Sequence, residues 1–221
     1  MVLGDRILLD EIVSGRGVSV VSVYDLKPKF QNLLRPLCRR LARAGVSANQ
    51  VTLSAAATSV ALGIAIWMTH GARWALLLLP PVLFVRMALN AIDGMLAREF
   101  AQKSARGAVL NEMGDVVSDT ALYLSLATIT GVDAALVGLV VAIAIMTEMT
   151  GVVAIQIGAQ RRYDGPFGKS DRAVFFGGLA LLLGLGVRPG LWTYIALALA
   201  AAAGALTVFN RARAALKDRK A

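Results

Sequence analysis

The chain has 221 residues, 57% of them hydrophobic, with a mean hydropathy of +0.66, above the roughly 45–50% apolar content of ordinary soluble domains. Its 23 Lys and Arg against 14 Asp and Glu leave a formal charge of +9. That composition argues against a water-soluble enzyme. With no basic soluble domain in the sequence, it also sets nucleic acid aside as a partner, so the positive excess reads as membrane topology and contact with anionic lipid heads.

Residues 1–23 carry Asp5, Arg6, Asp10, Glu11 and Arg16. No uninterrupted apolar core precedes a small-residue cleavage site, so the segment reads as a lead-in and not as a secretory signal. Residues 24–45 place Phe30, Leu33, Leu34, Leu37, Cys38 and Leu41 at helical spacing, with Arg35, Arg39, Arg40 and Arg43 elsewhere. The pattern predicts a basic amphipathic helix on the bilayer surface; a solvated helix packed on protein is the alternative. Cys38, the single cysteine, cannot form an internal disulfide.

A spanning helix needs about 20 mostly apolar residues. Stretches 51–69, 74–98, 107–130, 133–157, 172–188 and 191–210 meet that need, broken at Gly71, at Gly131 with Asp133, and at Arg188-Pro189-Gly190. The expectation is an all-α integral membrane protein, with about six transmembrane helices over residues 46–215 and a basic tail at 216–221. Basic residues gather before the first span, between the second and third (Arg98, Lys103, Arg106), between the fourth and fifth (Arg161, Arg162, Lys169, Arg172), and in the tail. Positive-inside places these segments and both termini in the cytoplasm of a multi-pass inner membrane protein.

Two spans carry polar faces. Arg86, Asn90, Asp93 and Ala97 share one side of the second; Gly107, Asn111, Asp115 and Asp119 share one side of the third. The spans run antiparallel, so the faces can meet as a polar funnel open toward the cytoplasm. Arg86 and Asp119 stand deepest, roughly 18 Å along the axis. Ionisable groups in a span are candidates for function; interhelical hydrogen bonding is the plainer reading. Carboxylates and amide carbonyls suit a hard cation, and no cluster of His and Cys offers a softer site. At similar depth lies Glu148, and Arg86 is expected to pair with Asp119, Glu148 or both, a structural ion cluster.

The stretch Asn90–Asp115 resembles the signature of the CDP-alcohol phosphatidyltransferase family: Asp93-Gly94, Ala97-Arg98, Gly107 and Asp115 stand at its spacing, while Asn90 and Asn111 replace its first and third aspartates. A shifted alignment would enlist Asp115 and Asp119 as the last pair, at the expense of the glycine. The resemblance implies an enzyme of phospholipid biosynthesis that moves a phosphatidyl or phosphoalcohol group from CDP-diacylglycerol or another CDP-linked donor to an alcohol acceptor, releasing CMP. It further implies Mg²⁺ or Mn²⁺ held by Asn90, Asp93, Asn111 and Asp115, with Asp115 as the catalytic base. Donor-binding positions are Asn49, Thr52, Gly94, Ala97, Arg98, Ser104 and Gly107, and a homodimer is implied as well. Capping by Ser47 or Asn49 is the alternative for the segment around Asn49. The Lys169 segment is similar to an element near the acceptor pocket of related enzymes, so Arg161, Arg162, Lys169 and Arg172 would bind the acceptor, unless they are topology anchors only. Asp171 reads as a helix cap. Two carboxylates turned to amides predict weaker metal binding, or one metal where relatives hold two. A catalytically silent member binding CDP-lipid, and a small transporter or scaffold, are the competing readings.

Overall fold

The computed structural model describes residues 23–218; all of the expected lead-in at 1–23 except Val23, which opens the first helix, and the end of the basic tail at 219–221 lie outside the described residues. Among the described residues every regular element is helical: α1 Val23–Arg43, α2 Ala48–Met68, α3 Arg73–Glu99, α4 Ala105–Leu124, α5 Ala134–Gln156, α6 Lys169–Gly184 and α7 Leu191–Asp218. Short polar caps start three of them, whereas α3 opens on Ala72 without one. Ser47 and Gln50 form a capping box at α2, Ser104 caps α4, and Asp133 accepts from Leu136 N at 2.9 Å to open α5. Asp171 accepts from Gly168 N at 2.8 Å, fastening the entry to α6.

The chain is an all-α integral membrane protein. The helices α2, α3, α5 and α7 are long and apolar enough to cross a membrane. The other two expected spans depart from that standard for a physical reason. Helix α4 holds Arg106, Glu112, Asp115 and Asp119, and it tightens into a 3₁₀ turn at Ser125–Thr128 well short of the expected end at residue 130. Helix α6 has 16 residues and begins on the charged sequence Lys169-Ser170-Asp171-Arg172. Helix α7 runs the other way past its expected end at residue 210, because Arg211, Ala212, Arg213, Ala214 and Ala215 are good helix formers with no glycine or proline among them.

Helix α2 packs along both α3 and α4, α3 also meets α6, and α5 lies against α7. The main core joins them through Ile66, Leu76, Leu79, Tyr123, Phe176 and Leu197, with the Tyr123 and Phe176 rings stacked at 4.1 Å. Helix α1 is held against the end of α3 by a second cluster of Cys38, Ile92, Met95 and Leu96, and by the Arg35–Glu99 ion pair at 3.0 Å. Burial there pushes the Cys38 thiol up from its ordinary range. Beside that packed face α1 leaves Leu33 and Leu37 exposed, apolar surface suited to lipid contact.

The α2–α4 contact is the closest in the bundle by one test: a β-carbon on Gly63 would overlap the backbone carbonyl of Ala121, whereas one on Gly138 would meet nothing within 4 Å. Small residues permit such approach. Gly63→Ala is expected to destabilise the protein by about 1–3 kcal/mol, the usual cost of overpacking, and Gly138→Ala to leave it unchanged. Unfolding midpoints in detergent micelles measure both; equal midpoints for the two variants would show that the helices are not in backbone contact.

Candidate active site

The site forms where α2 begins, α3 ends and α4 begins. The α3–α4 connection is stitched to α2 by Gln102, whose Oε1 accepts from Ala48 N at 2.7 Å and whose Nε2 donates to Val46 O at 3.5 Å. Gln102 was not legible in the sequence, because a polar residue in a helix linker carries no periodic signal. With Ser47 capping α2, Asn49 is released from that task. It instead faces α4: a β-carbon on Gly107 would stand 2.8 Å from Asn49 Oδ1 and 3.0 Å from Ser104 Oγ. Glycine at 107 therefore keeps space between two polar side chains. Arg98 is exposed, and its guanidinium folds back over Gly94, where a β-carbon would lie 3.2 Å from Nη1. Ala97 lies half-buried beside them.

One turn deeper, the Thr52 hydroxyl of α2 donates to Asp93 Oδ2 at 2.8 Å, and Asp93 is buried at 6% exposure. Across from it, Asp115 of α4 is surrounded. Asn90 Nδ2 donates to its Oδ1 at 3.0 Å, Arg86 Nη2 donates to the same oxygen at 3.2 Å, and Lys169 Nζ forms an ion pair with Oδ2. Asn111 is half-buried one turn before Asp115 on α4. The polar faces of α3 and α4 thus meet.

Beneath this layer lies a ladder of ions. Arg86 pairs with Asp119 as well as Asp115. Its other sequence-predicted partner, Glu148, is taken by Arg172 at 2.7 Å. Arg172 also reaches Asp119 at 3.3 Å and donates to Thr147 Oγ1 at 2.9 Å. Arg161 pairs with Glu112 and, at 3.5 Å, with Glu148. Arg211 of α7 donates to the Thr147 carbonyl and approaches Glu148 at 3.8 Å. Thr147 and Arg211 carry no signal in the sequence: one is a neutral hydroxyl in an apolar helix, the other lies just past the expected end of the last span at residue 210.

The four basic residues grouped for an acceptor therefore separate. Lys169 stands at the site, and Arg161 at its edge on Glu112. Arg172 is 1% exposed and joins the ion cluster instead, because its guanidinium is consumed by Asp119, Glu148 and Thr147. Arg162 turns outward to Asp164, at 2.8 and 2.9 Å, and to Asp218. Those two hydrogen bonds hold the Asp164 carboxyl below its ordinary value.

The donor set suits a hard cation in kind, since Asn90, Asp93, Asn111 and Asp115 offer only oxygen ligands besides amide nitrogen. It is poor in charge. Among the described residues no three His, Cys, Asp or Glu side chains converge on a metal position, because two of the four positions are amides. The set fits a single divalent ion better than a pair.

The sequence model described as CDP-alcohol phosphatidyltransferase matches residues 46–210. The chain is 44% identical over 196 residues to inner membrane protein YnbA of Escherichia coli (strain K12), covering 89% of this chain and 97% of that protein. Among solved structures it resembles Mycobacterium tuberculosis phosphatidylinositol phosphate synthase PgsA1 with CDP-DAG bound, at a TM-score of 0.70 and 20% identity over 84% of this chain and 97% of that one. PgsA1 in complex with manganese and citrate gives 0.69 at 20% identity, over 84% and 92%. These two likenesses establish the shared fold.

The buried ladder makes a prediction about stability. Arg172→Leu takes the shared guanidinium from Asp119 and Glu148, leaving them to Arg86 and to Arg161 and Arg211, and is expected to cost about 3 kcal/mol, the low end for removing one partner of a buried pair. Arg162→Ala, losing exposed pairs, is expected to leave the unfolding midpoint in place. Denaturant titration in micelles measures both, and a midpoint unmoved by Arg172→Leu would show that the ladder carries no stability.

Proposed function

The chain belongs to the CDP-alcohol phosphatidyltransferase family, and on that premise we propose that it transfers a phosphatidyl or phosphoalcohol group from a CDP-linked donor to an alcohol, releasing CMP. One observation carries the reading: Asp93, bonded to Thr52, and Asp115, bonded to Asn90 and paired with Lys169, stand in one polar layer where α3 and α4 meet, inside the matched region. CDP-diacylglycerol is the preferred donor. CDP-DAG is bound in a structure of the same fold, and a lipid donor explains why the pocket is built into the end of a membrane bundle.

Each residue then has a task. The planar fork of Arg98 suits bidentate contact with the pyrophosphate. Ser104 and Asn49, kept apart by Gly107, line the nucleotide side, and Gly94 and Ala97 let the cytidine approach the backbone. Thr52 orients Asp93 by its hydrogen bond. Asn90, Asp93, Asn111 and Asp115 would hold Mg²⁺ or Mn²⁺, which when bound neutralises charge on the departing CMP. The acceptor hydroxyl gives its proton to Asp115 and its oxygen attacks the β-phosphorus; the bond from that phosphorus to the bridging oxygen breaks, and CMP leaves with the electron pair. Arg86 and Asn90 fix the Asp115 carboxylate through Oδ1, while Oδ2 faces the Lys169 ammonium and keeps a second lone pair for the proton. Arg161 pairs with Glu112 one turn before Asp115 on α4.

We place the site and both termini on the cytoplasmic side, from the distribution of basic residues, in an inner membrane like that of YnbA. The Gly- and Ala-rich α7 supports a homodimer. A silent, CDP-lipid-binding relative is the second reading, favoured by the cationic and amide partners on both Asp115 oxygens.

Purified protein in nanodiscs, given CDP-diacylglycerol, Mn²⁺ and a panel of alcohols, is expected to release CMP. Asp115→Ala and Asp93→Ala should each lose on the order of 10²-fold or more in that rate while still inserting, the range for a lost general base. Wild-type CMP release at background with every alcohol would favour the silent reading; full turnover by both variants would remove these carboxylates from the mechanism.

A further inference from the structure

Around Asp115 and the ladder beneath it, charge is already balanced among the described residues before any metal arrives; Arg98, exposed over Gly94, stands outside that count. Arg86, Arg161, Lys169, Arg172 and Arg211 face Glu112, Asp115, Asp119 and Glu148 in ion contact, and Asp93 supplies the remaining carboxylate. Four of these basic groups are guanidiniums tied into the ladder at two or more points. Lys169 is different. It has one ion-pair partner among the described residues, Asp115, its side chain is 35% exposed, and it sits on the first residue of α6, where the chain enters the helix from the segment carrying Gly165 and Gly168. Its ammonium is a compact point charge on a flexible stem.

The amides sit where the charge deficit is. Asn90 and Asn111 keep carbonyl oxygens but supply no charge, and the Asn90 amide nitrogen is turned toward Asp115. Cation affinity falls with ligand charge count. An Asp115 oxygen facing an ammonium is, moreover, a poor ligand for a second cation, since the two positive charges repel. We propose that Lys169 is a built-in cation at Asp115, occupying by its ammonium the place a second divalent ion would need, so that this chain binds one divalent ion, on the Asp93 side. Lys169 is thereby a positioning residue for the carboxylate and sets the metal count. The divalent ion itself rests on the transferase reading above; the Lys169–Asp115 pair does not.

The test is metal binding, read apart from catalysis. Full-length protein in nanodiscs is titrated with Mn²⁺, and free Mn²⁺ is followed by electron paramagnetic resonance. Wild type is expected to bind one Mn²⁺ per chain. Lys169→Met should tighten Mn²⁺ binding roughly tenfold or more, because the unit positive charge on Asp115, in the same polar layer as Asp93, has been removed. Lys169→Arg, which keeps the charge, should titrate like wild type. A Lys169→Met curve superimposable on wild type overturns the proposal, as expected if the lysine serves the acceptor alone. Two equivalent Mn²⁺ in wild type, or none in any variant, also overturns it. CMP release is measured on the same samples. Its absence throughout, with the Mn²⁺ response to Lys169→Met intact, sinks the transferase reading and leaves the cation role standing.

Discussion

A charged side chain inside a membrane bundle must meet its opposite, because neither lipid nor apolar core will solvate it. That constraint organises this molecule. Arg86 from α3, Asp119 from α4, Glu148 from α5, Arg172 from α6 and Arg211 from α7 come from five different helices and converge in one ladder. Apolar packing brings the helices together without specifying their rotation about their axes. The ladder specifies it, since each guanidinium has a fixed fork and each carboxylate a fixed depth. The shallower layer of Asp93, Asp115, Asn90 and Thr52 inherits its geometry from that support: Arg86 touches both layers, holding Asp119 below and Asp115 above.

The same constraint explains why two helices fall outside the simple picture of a span. Helix α4 carries the acidic half of both layers and α6 begins with Lys169 and Arg172, so neither can be uniformly apolar. They are housed by α2, α3, α5 and α7, each of which holds a stretch long and apolar enough to cross a membrane. Helix α2 has a particular role here. Its Gly63 admits the α4 backbone, and on the same helix Asn49 faces Gly107 of α4 while Thr52 donates to Asp93 of α3.

Much of this was legible in the sequence, because it rests on periodicity. The helices of the bundle, the amphipathic α1 and the facing stripes of α3 and α4 follow from spacing alone, and the motif from Asn90 to Asp115 points to the family. What stayed hidden depends on contacts between elements distant in sequence. Nothing in the spacing says that Glu148 would go to Arg172 instead of Arg86, that Arg211 would turn inward, or that Gln102 would tie a linker to α2. Basic residues were read as one group by their proximity in the chain, yet a few residues of loop and the start of a helix send Arg162 to the surface and Arg172 into the core. Charge counts in a sequence constrain topology; only the fold decides which charge is spent on structure.

That distinction bears on the two asparagines. If Asn90 and Asn111 were merely lost acids, the site would be a damaged one, with cations left over. The structure has no such excess among the described residues: the basic groups around Asp115 are matched by carboxylates on α4 and α5, and Asn90 donates to Asp115 in a way an aspartate could not without a proton. The amides belong with the lysine. An ammonium on Oδ2 and an amide N–H on Oδ1 form a mutually consistent environment for one carboxylate, whereas four acids in the same place would require more cation than Arg86 and Lys169 supply. The local chemistry is a re-balanced arrangement of the same fold, in which part of the positive charge is covalently attached to the protein.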